Sequence, residues 1–186
     1  MPRTEHPRRP DVTAVEIIGG AEPLTVGLRE YDAGWPSVFR EHERRITDAL
    51  AGLDVAIEHI GSTAVPGLAA KPIVDVVVAV PDITAEEDHV APLLAAGYLL
   101  RVREPGHRLV RTPERDVHVH LYGRGDPAID EYLLLRDHLR RDPADRALYE
   151  STKRALMQRP WHDMNAYSDA KTAVIATLKA RARAAE

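Results

Sequence analysis

The stretch Glu58–Val80, EHIGSTAVPGLAAKPIVDVVVAV, decides the fold. Its second half, IVDVVVAV (73–80), is a near-continuous apolar run, the pattern of a strand buried on both faces and therefore interior to a sheet. VAIEHI (55–60) reads as a second strand, and GSTAVPGLAAKP (61–72) as the loop between them. Asp75 interrupts the apolar run. It shares a strand face with Ile73 and Val77, while Val74, Val76 and Val78 take the other. A carboxylate in that position is costly to desolvate unless it is paired or bound to a cation. Two readings stand: contact with a metal or substrate, or an ion pair with Lys71, an Arg or a His that pins the sheet.

Outward from this stretch, LTVGL (24–28) reads as a strand. Trp35, Val38, Phe39, Ile46, Ala49, Leu50 and Leu53 then recur at helical spacing, with Pro36 in the first turn and Gly52 near the end. TAEEDHVAPLLAAGY (84–98) predicts a second helix, opened by a Thr84 to Glu87 capping box and closed at Gly97. YLLRVR, HRLVRT and DVHVHLY follow as strands, the first two joined by the turn EPGH. From about Asp126 the pattern is three helices, broken at RDPAD and RPWHDMN. The fold class is α/β (α+β), with one mixed sheet, flanking helices and a helical C-terminal third. Residues 1–13 read as a disordered arm and 14–186 as one domain, a normal size for a chain of 186 residues.

Hydrophobic residues at 44% and charged residues at 29% belong to a folded globular protein rather than a disordered one. A net charge of −4 argues against general nucleic-acid binding, which needs Lys and Arg to neutralise phosphates. No apolar run approaches the length of a membrane span, and MPRTEHPRRPDVT carries no apolar signal region, so a cytoplasmic location is expected. The lack of cysteine excludes disulfides, thiolate catalysis and Cys-ligated zinc. Lysine is scarce: Lys71, Lys153, Lys171 and Lys179 are the four among 25 basic residues.

Several residues are candidates for chemistry. Gly61 and Ser62 form a turn in which backbone N–H groups and a hydroxyl can cradle a phosphate, or in which the glycine serves the turn alone. DVHVHLY alternates, putting Val117, Val119 and Leu121 toward the core and Asp116, His118, His120 and Tyr122 on the other face. Two imidazoles two apart on one face can share an ion or act as acid and base. Tyr167 and Lys171, four apart in AYSDAKTAVI, fall on one helix face and can reach a ligand together. His42 reads as a core residue, and Glu58 and His59 lie on opposite strand faces.

These residues resemble a known pattern. HIGSTAVPGLAAKPIVDVVV (59–78) resembles the signature of the GrpB-like family. VGLREYDAGWPSVFREHE, HVHLYG, LLLRDHLRRDPADRALYESTKRAL and AYSDAKTAVI resemble its other blocks in order, covering roughly residues 24 to 180. Lys71, Lys153 and Lys171 fall where the family is expected to carry lysine. The resemblance implies a bacterial protein of nucleotidyltransferase-like fold, with a Gly-Ser turn after one strand and metal-binding acids on the next. It also implies a link to coenzyme A metabolism, because such domains occur fused to dephospho-coenzyme A kinases.

Against the nucleotidyltransferase pattern, Gly61, Ser62 and Asp75 match, but Val77 stands where the second acid belongs. A third acid would fall near His118 and His120. One carboxylate and two imidazoles suit a transition metal better than magnesium, which prefers oxygen ligands. The expectation is a cleft in which Gly61, Ser62, Lys71, Tyr167 and Lys171 bind a phosphorylated or nucleotide-like small molecule, and Asp75, His118 and His120 hold a divalent metal or transfer protons. Nucleotidyl transfer, a non-catalytic ligand-sensing module and metal-dependent phosphoester hydrolysis are the competing functions.

Overall fold

A computed structural model describes residues 7–20, 22, 27–161 and 164–185. The chain builds β1 (Glu16–Ile17), α1 (Trp35–Ala49), β2 (Ala56–Ile60), β3 (Val74–Val80), α2 (Glu86–Ala95), β4 (Leu99–Glu104), β5 (His107–Arg111) and β6 (Val117–Gly123). Helices α3 (Pro127–Arg141), α4 (Pro143–Met157), α5 (Met164–Asp169) and α6 (Thr172–Ala184) follow. The strands form one mixed sheet in the order β1-β4-β5-β6-β3-β2, parallel only between β3 and β6. The α/β class with a helical C-terminal third is therefore what the sequence predicts, and β3 is the interior strand flanked by β6 and β2.

Burial explains the valine run. Val74, Val76, Val78 and Val80 join Val110, Val117, Val119 and Leu121 in a core closed by Trp35, Ile46 and Leu50 of the α1 segment and by Leu93 and Tyr98 around α2. Each such side chain contributes about 1.5–3 kcal/mol by leaving water. His42, on the buried face of α1, is bonded through Nδ1 to the Tyr98 hydroxyl at 2.7 Å, the core role expected of it. A second cluster, Val65, Leu68, Leu139, Tyr149 and Leu178, binds the 61–70 loop to the C-terminal helices.

Two local expectations change, and a third lies largely outside the described residues. Residues 24–26 of the expected LTVGL strand lie outside the described residues, and Gly27 and Leu28 are in irregular backbone. The capping box does not form. Thr84 gives both its N–H (2.9 Å) and its hydroxyl (2.6 Å) to Asp82 Oδ1, so an Asx turn precedes the helix and Ala85 takes the cap position. Glu87 instead meets Arg8 and Arg9. Among the described residues the C-terminal third holds four helices because the last segment breaks between Asp169 and Thr172, so Tyr167 and Lys171 do not share one helix. Asp126 and Asp142 cap α3 and α4, each with Pro next in sequence.

Within the expected N-terminal arm, Asp11 lies on the sheet. It accepts from Gly106 N–H and from the guanidinium of Arg108, a residue only 2% exposed whose Nε also binds Glu86 at 2.6 Å.

Candidate functional site

The turn after β2 determines how the site is assembled. Gly61 has φ +73° and ψ −172°, a region essentially closed to residues with a side chain. It lets the chain leave β2 and enter a short 3₁₀ turn, Ser62–Ala64, directly over β3. A Cβ placed on Gly61 would stand 2.8 Å from Asp75 Oδ2, so the glycine also makes room for the carboxylate.

Parallel pairing sets Asp75 beside His118 and Val77 beside His120, with all four on one sheet face. Asp75 Oδ1 is 3.8 Å from His118 Nδ1 and 3.5 Å from His120 Nε2. The other nitrogen of His120 meets His107 Nε2 at 3.1 Å, and His107 Nδ1 meets Glu104 Oε1 at 2.6 Å. A chain of titratable groups thus runs from partly exposed Glu104 through two stacked imidazoles to Asp75. Burial works against charge on Asp75, but the contact with His120 and the fields of His120, His118 and Lys171 prevail and hold its carboxyl below the usual range. Burial pushes His118 down, and His107 down to about 4. Val77 is 1% exposed, so the position of the missing second acid lies beneath the cleft wall rather than in it.

The opposite wall is cationic. Lys71 Nζ sits 3.7 Å from the centre of the Tyr167 ring and Lys171 Nζ 4.8 Å from the same ring. Tyr167 is thereby placed with both lysines even though the helix breaks between it and Lys171. Its hydroxyl is buried with no hydrogen-bond partner among the described residues. Lys153, 2% exposed, reaches across from α4 to the Ser62 Oγ at 3.0 Å and to the Ala69 carbonyl. Burial, reinforced by the charge of Lys171, pushes both Lys71 and Lys153 down to about 7, and burial lowers Lys171 as well.

All eight residues singled out in the sequence line one cleft of about 420 Å³: Gly61, Ser62, Lys71, Asp75, His118, His120, Tyr167 and Lys171. That volume suits a small organic ligand. Tyr132, Lys153 and Ser168 also line it and were not among the predicted site residues. The signal for Lys153 lay in the rarity of lysine. His59, by contrast, turns away into the core, stacked on Phe39 at 4.8 Å and bonded to Thr63 at 3.0 Å, while Glu58 pairs with Arg136.

The donor set does not fit a magnesium pair. Asp75 is the one acid among the described lining residues, and three lysines share its cleft. Among the described residues, the three-donor set whose ligand atoms all lie within 4.8 Å of one another is His138, Asp142 and Asp145, at the α3–α4 corner. Its groups are engaged structurally: Asp142 caps α4, and Asp145 pairs with His138 and Arg181.

Residues 25–181 match the family model described as GrpB protein. The chain belongs to the GrpB family. Among GrpB relatives, a UPF0157 protein of Streptomyces coelicolor is 70% identical over 178 residues, covering 96% of this chain and 95% of that one. The crystal structure of conserved protein GrpB from Enterococcus faecalis superposes with a TM-score of 0.74 at 31% identity, covering 84% of this chain and 96% of that one. A dephospho-CoA kinase of Mycolicibacterium paratuberculosis is 31% identical over 165 residues, covering 73% of this chain but only 40% of the kinase, so the similarity concerns part of that protein. Among the described residues of this GrpB chain, no helix is long and apolar enough to cross a membrane.

Proposed function

We propose that this protein binds a phosphorylated, nucleotide-like small molecule in the cleft between β3, β6 and the C-terminal helices. The observation that carries the reading is the convergence of Lys71, Lys153 and Lys171 on one cleft, Lys153 at Ser62 and the other two over the Tyr167 ring. Crowded lysines whose charged forms burial disfavours gain most from an anion, which offsets their mutual repulsion and accepts their hydrogen bonds. Ser62 and the turn amides would hold phosphate oxygens, and the lysines would neutralise them.

The partial similarity to a dephospho-CoA kinase favours coenzyme A precursors as the ligand class, in a sensing or carrier role. Two-metal nucleotidyl transfer is the less favoured reading, because Val77 is buried where a second carboxylate would have to coordinate. A nucleotidyltransferase-like ancestry of the fold remains compatible with the Gly61-Ser62 turn and Asp75.

A melting screen of the purified chain tests this, with nucleoside triphosphates, pyrophosphate and coenzyme A precursors, each with and without divalent metal. Stabilisation by a phosphorylated ligand that is lost in Lys171→Met is the expected outcome. Stabilisation by none of them would overturn the reading.

A further inference from the structure

The contact between Lys153 and Ser62 offers chemistry beyond anion binding. Lys153 Nζ, held by the Ala69 carbonyl, also faces the Ser62 hydroxyl at 3.0 Å. The Tyr149 ring centre lies 4.8 Å from the same Nζ. Ser62 opens the 3₁₀ turn on the cleft wall, and Lys153, 2% exposed, lines the same cleft. A hydroxyl beside a largely buried amine is the arrangement that activates a weak nucleophile, since a neutral amine can take the hydroxyl proton as the oxygen attacks. Around Lys153, Lys171, Lys71 and Arg154 disfavour an extra proton, and Glu150 opposes them.

We infer that Ser62 is a nucleophile with Lys153 as its general base, acting on a carboxylic ester or thioester of a phosphorylated alcohol or thiol. Ser62 Oγ bonds to the carbonyl carbon and its proton passes to neutral Lys153 Nζ. The bond from that carbon to the leaving oxygen or sulfur breaks with its electron pair, and the leaving group takes the proton from Lys153. Water then attacks the acyl-serine with Lys153 again as base, releasing the carboxylic acid and restoring Ser62. Burial and the surrounding positive charge, by pushing Lys153 down to about 7, keep much of it neutral in neutral solution.

This inference goes beyond the binding reading, on which only the phosphorylated part of its substrate class rests. The experiment is labelling of the full chain with a fluorophosphonate from about pH 5.5 to 8.5, mapped by intact-mass and peptide mass spectrometry. One adduct on Ser62 is expected, absent in Ser62→Ala, forming faster as pH rises through about 7. Lys153→Met should slow it about 100-fold. Lys153→Arg, which keeps a charged donor but does not deprotonate, should be equally slow. No Ser62 adduct, a pH-independent rate in the wild-type chain, or wild-type labelling of Lys153→Arg would overturn the inference. The wild-type pH profile decides the matter if the Lys153 variants fail to fold. Stabilisation by pyrophosphate without Ser62 labelling removes this inference and leaves the binding reading; labelling without stabilisation does the reverse.

Discussion

Gly61 and Asp75 approach so closely that a single methyl group on Gly61 would stand 2.8 Å from the Asp75 carboxylate oxygen. The turn and the acid are one construction: the left-handed backbone at Gly61 carries Ser62 over β3 at the point where Asp75 rises from it.

Gly61→Ala should therefore be destabilised twice over. The backbone strain alone costs about 1–3 kcal/mol, read as a fall of roughly 2–4 °C in melting temperature per kcal/mol. Adding Asp75→Ala should recover the part due to crowding and leave the part due to φ. A double-mutant cycle with no coupling between the two sites would contradict the contact.

The protein should lose stability in mild acid through His59. Packed on Phe39 and 7% exposed, its imidazole is pushed down to about 4 by burial. Between an unfolded value near 6.5 and that folded value, the unfolded chain takes up a proton that the folded one refuses. This contribution is thus complete above about pH 6.5 and lost as pH falls towards 4, on the order of 3 kcal/mol. His107 acts in the same direction. Urea melts of His59→Gln against wild type between those pH values should show a shallower loss in the variant; parallel curves would remove the assignment.

Much of this was legible in sequence, for physical reasons. The valine run of β3 and the alternation of β6 each fix which residues share a sheet face, but the parallel pairing of β3 with β6 that sets Asp75 beside His118 joins strands distant in sequence. The Ser62–Lys153 contact spans 91 residues and depends on how α4 returns to the loop, which no local period encodes. The break before Lys171 was hidden because helical propensity is continuous through AYSDAKTAVI, and the lysine pair around Tyr167 arises from packing instead. At α2 the Thr-x-x-Glu pattern failed because Asp82, two residues earlier, competes for Thr84.

Arg108 gives a test of the N-terminal segment. It is 2% exposed and shared between Asp11 and Glu86. Removing one partner of a buried ion pair costs about 3–5 kcal/mol, and Arg108 keeps Glu86 and the carbonyls of Glu104 and His107, so Asp11→Ala should lower stability by less than that range. Chemical denaturation measures it. No change would mean that Asp11 does not engage Arg108 in solution.

Ligand binding should also take up protons. Lys71 and Lys153 are held down to about 7, and an anion beside them raises both. At pH 8 a lysine largely neutral in the free protein becomes charged in the complex, so affinity should fall as pH rises above 7. Titration calorimetry of pyrophosphate in buffers of different ionisation enthalpy reads the uptake directly. Heats that do not depend on the buffer would contradict it.

The central claim, that the lysine-walled cleft holds a phosphorylated ligand, is tested most directly by calorimetric titration of dephospho-coenzyme A and of pyrophosphate into wild type and Lys171→Met at low salt. Saturable one-to-one binding, weakened about tenfold or more by removal of one charged contact, is the expected result. No saturable binding of either compound, or equal affinity in Lys171→Met, would contradict the account.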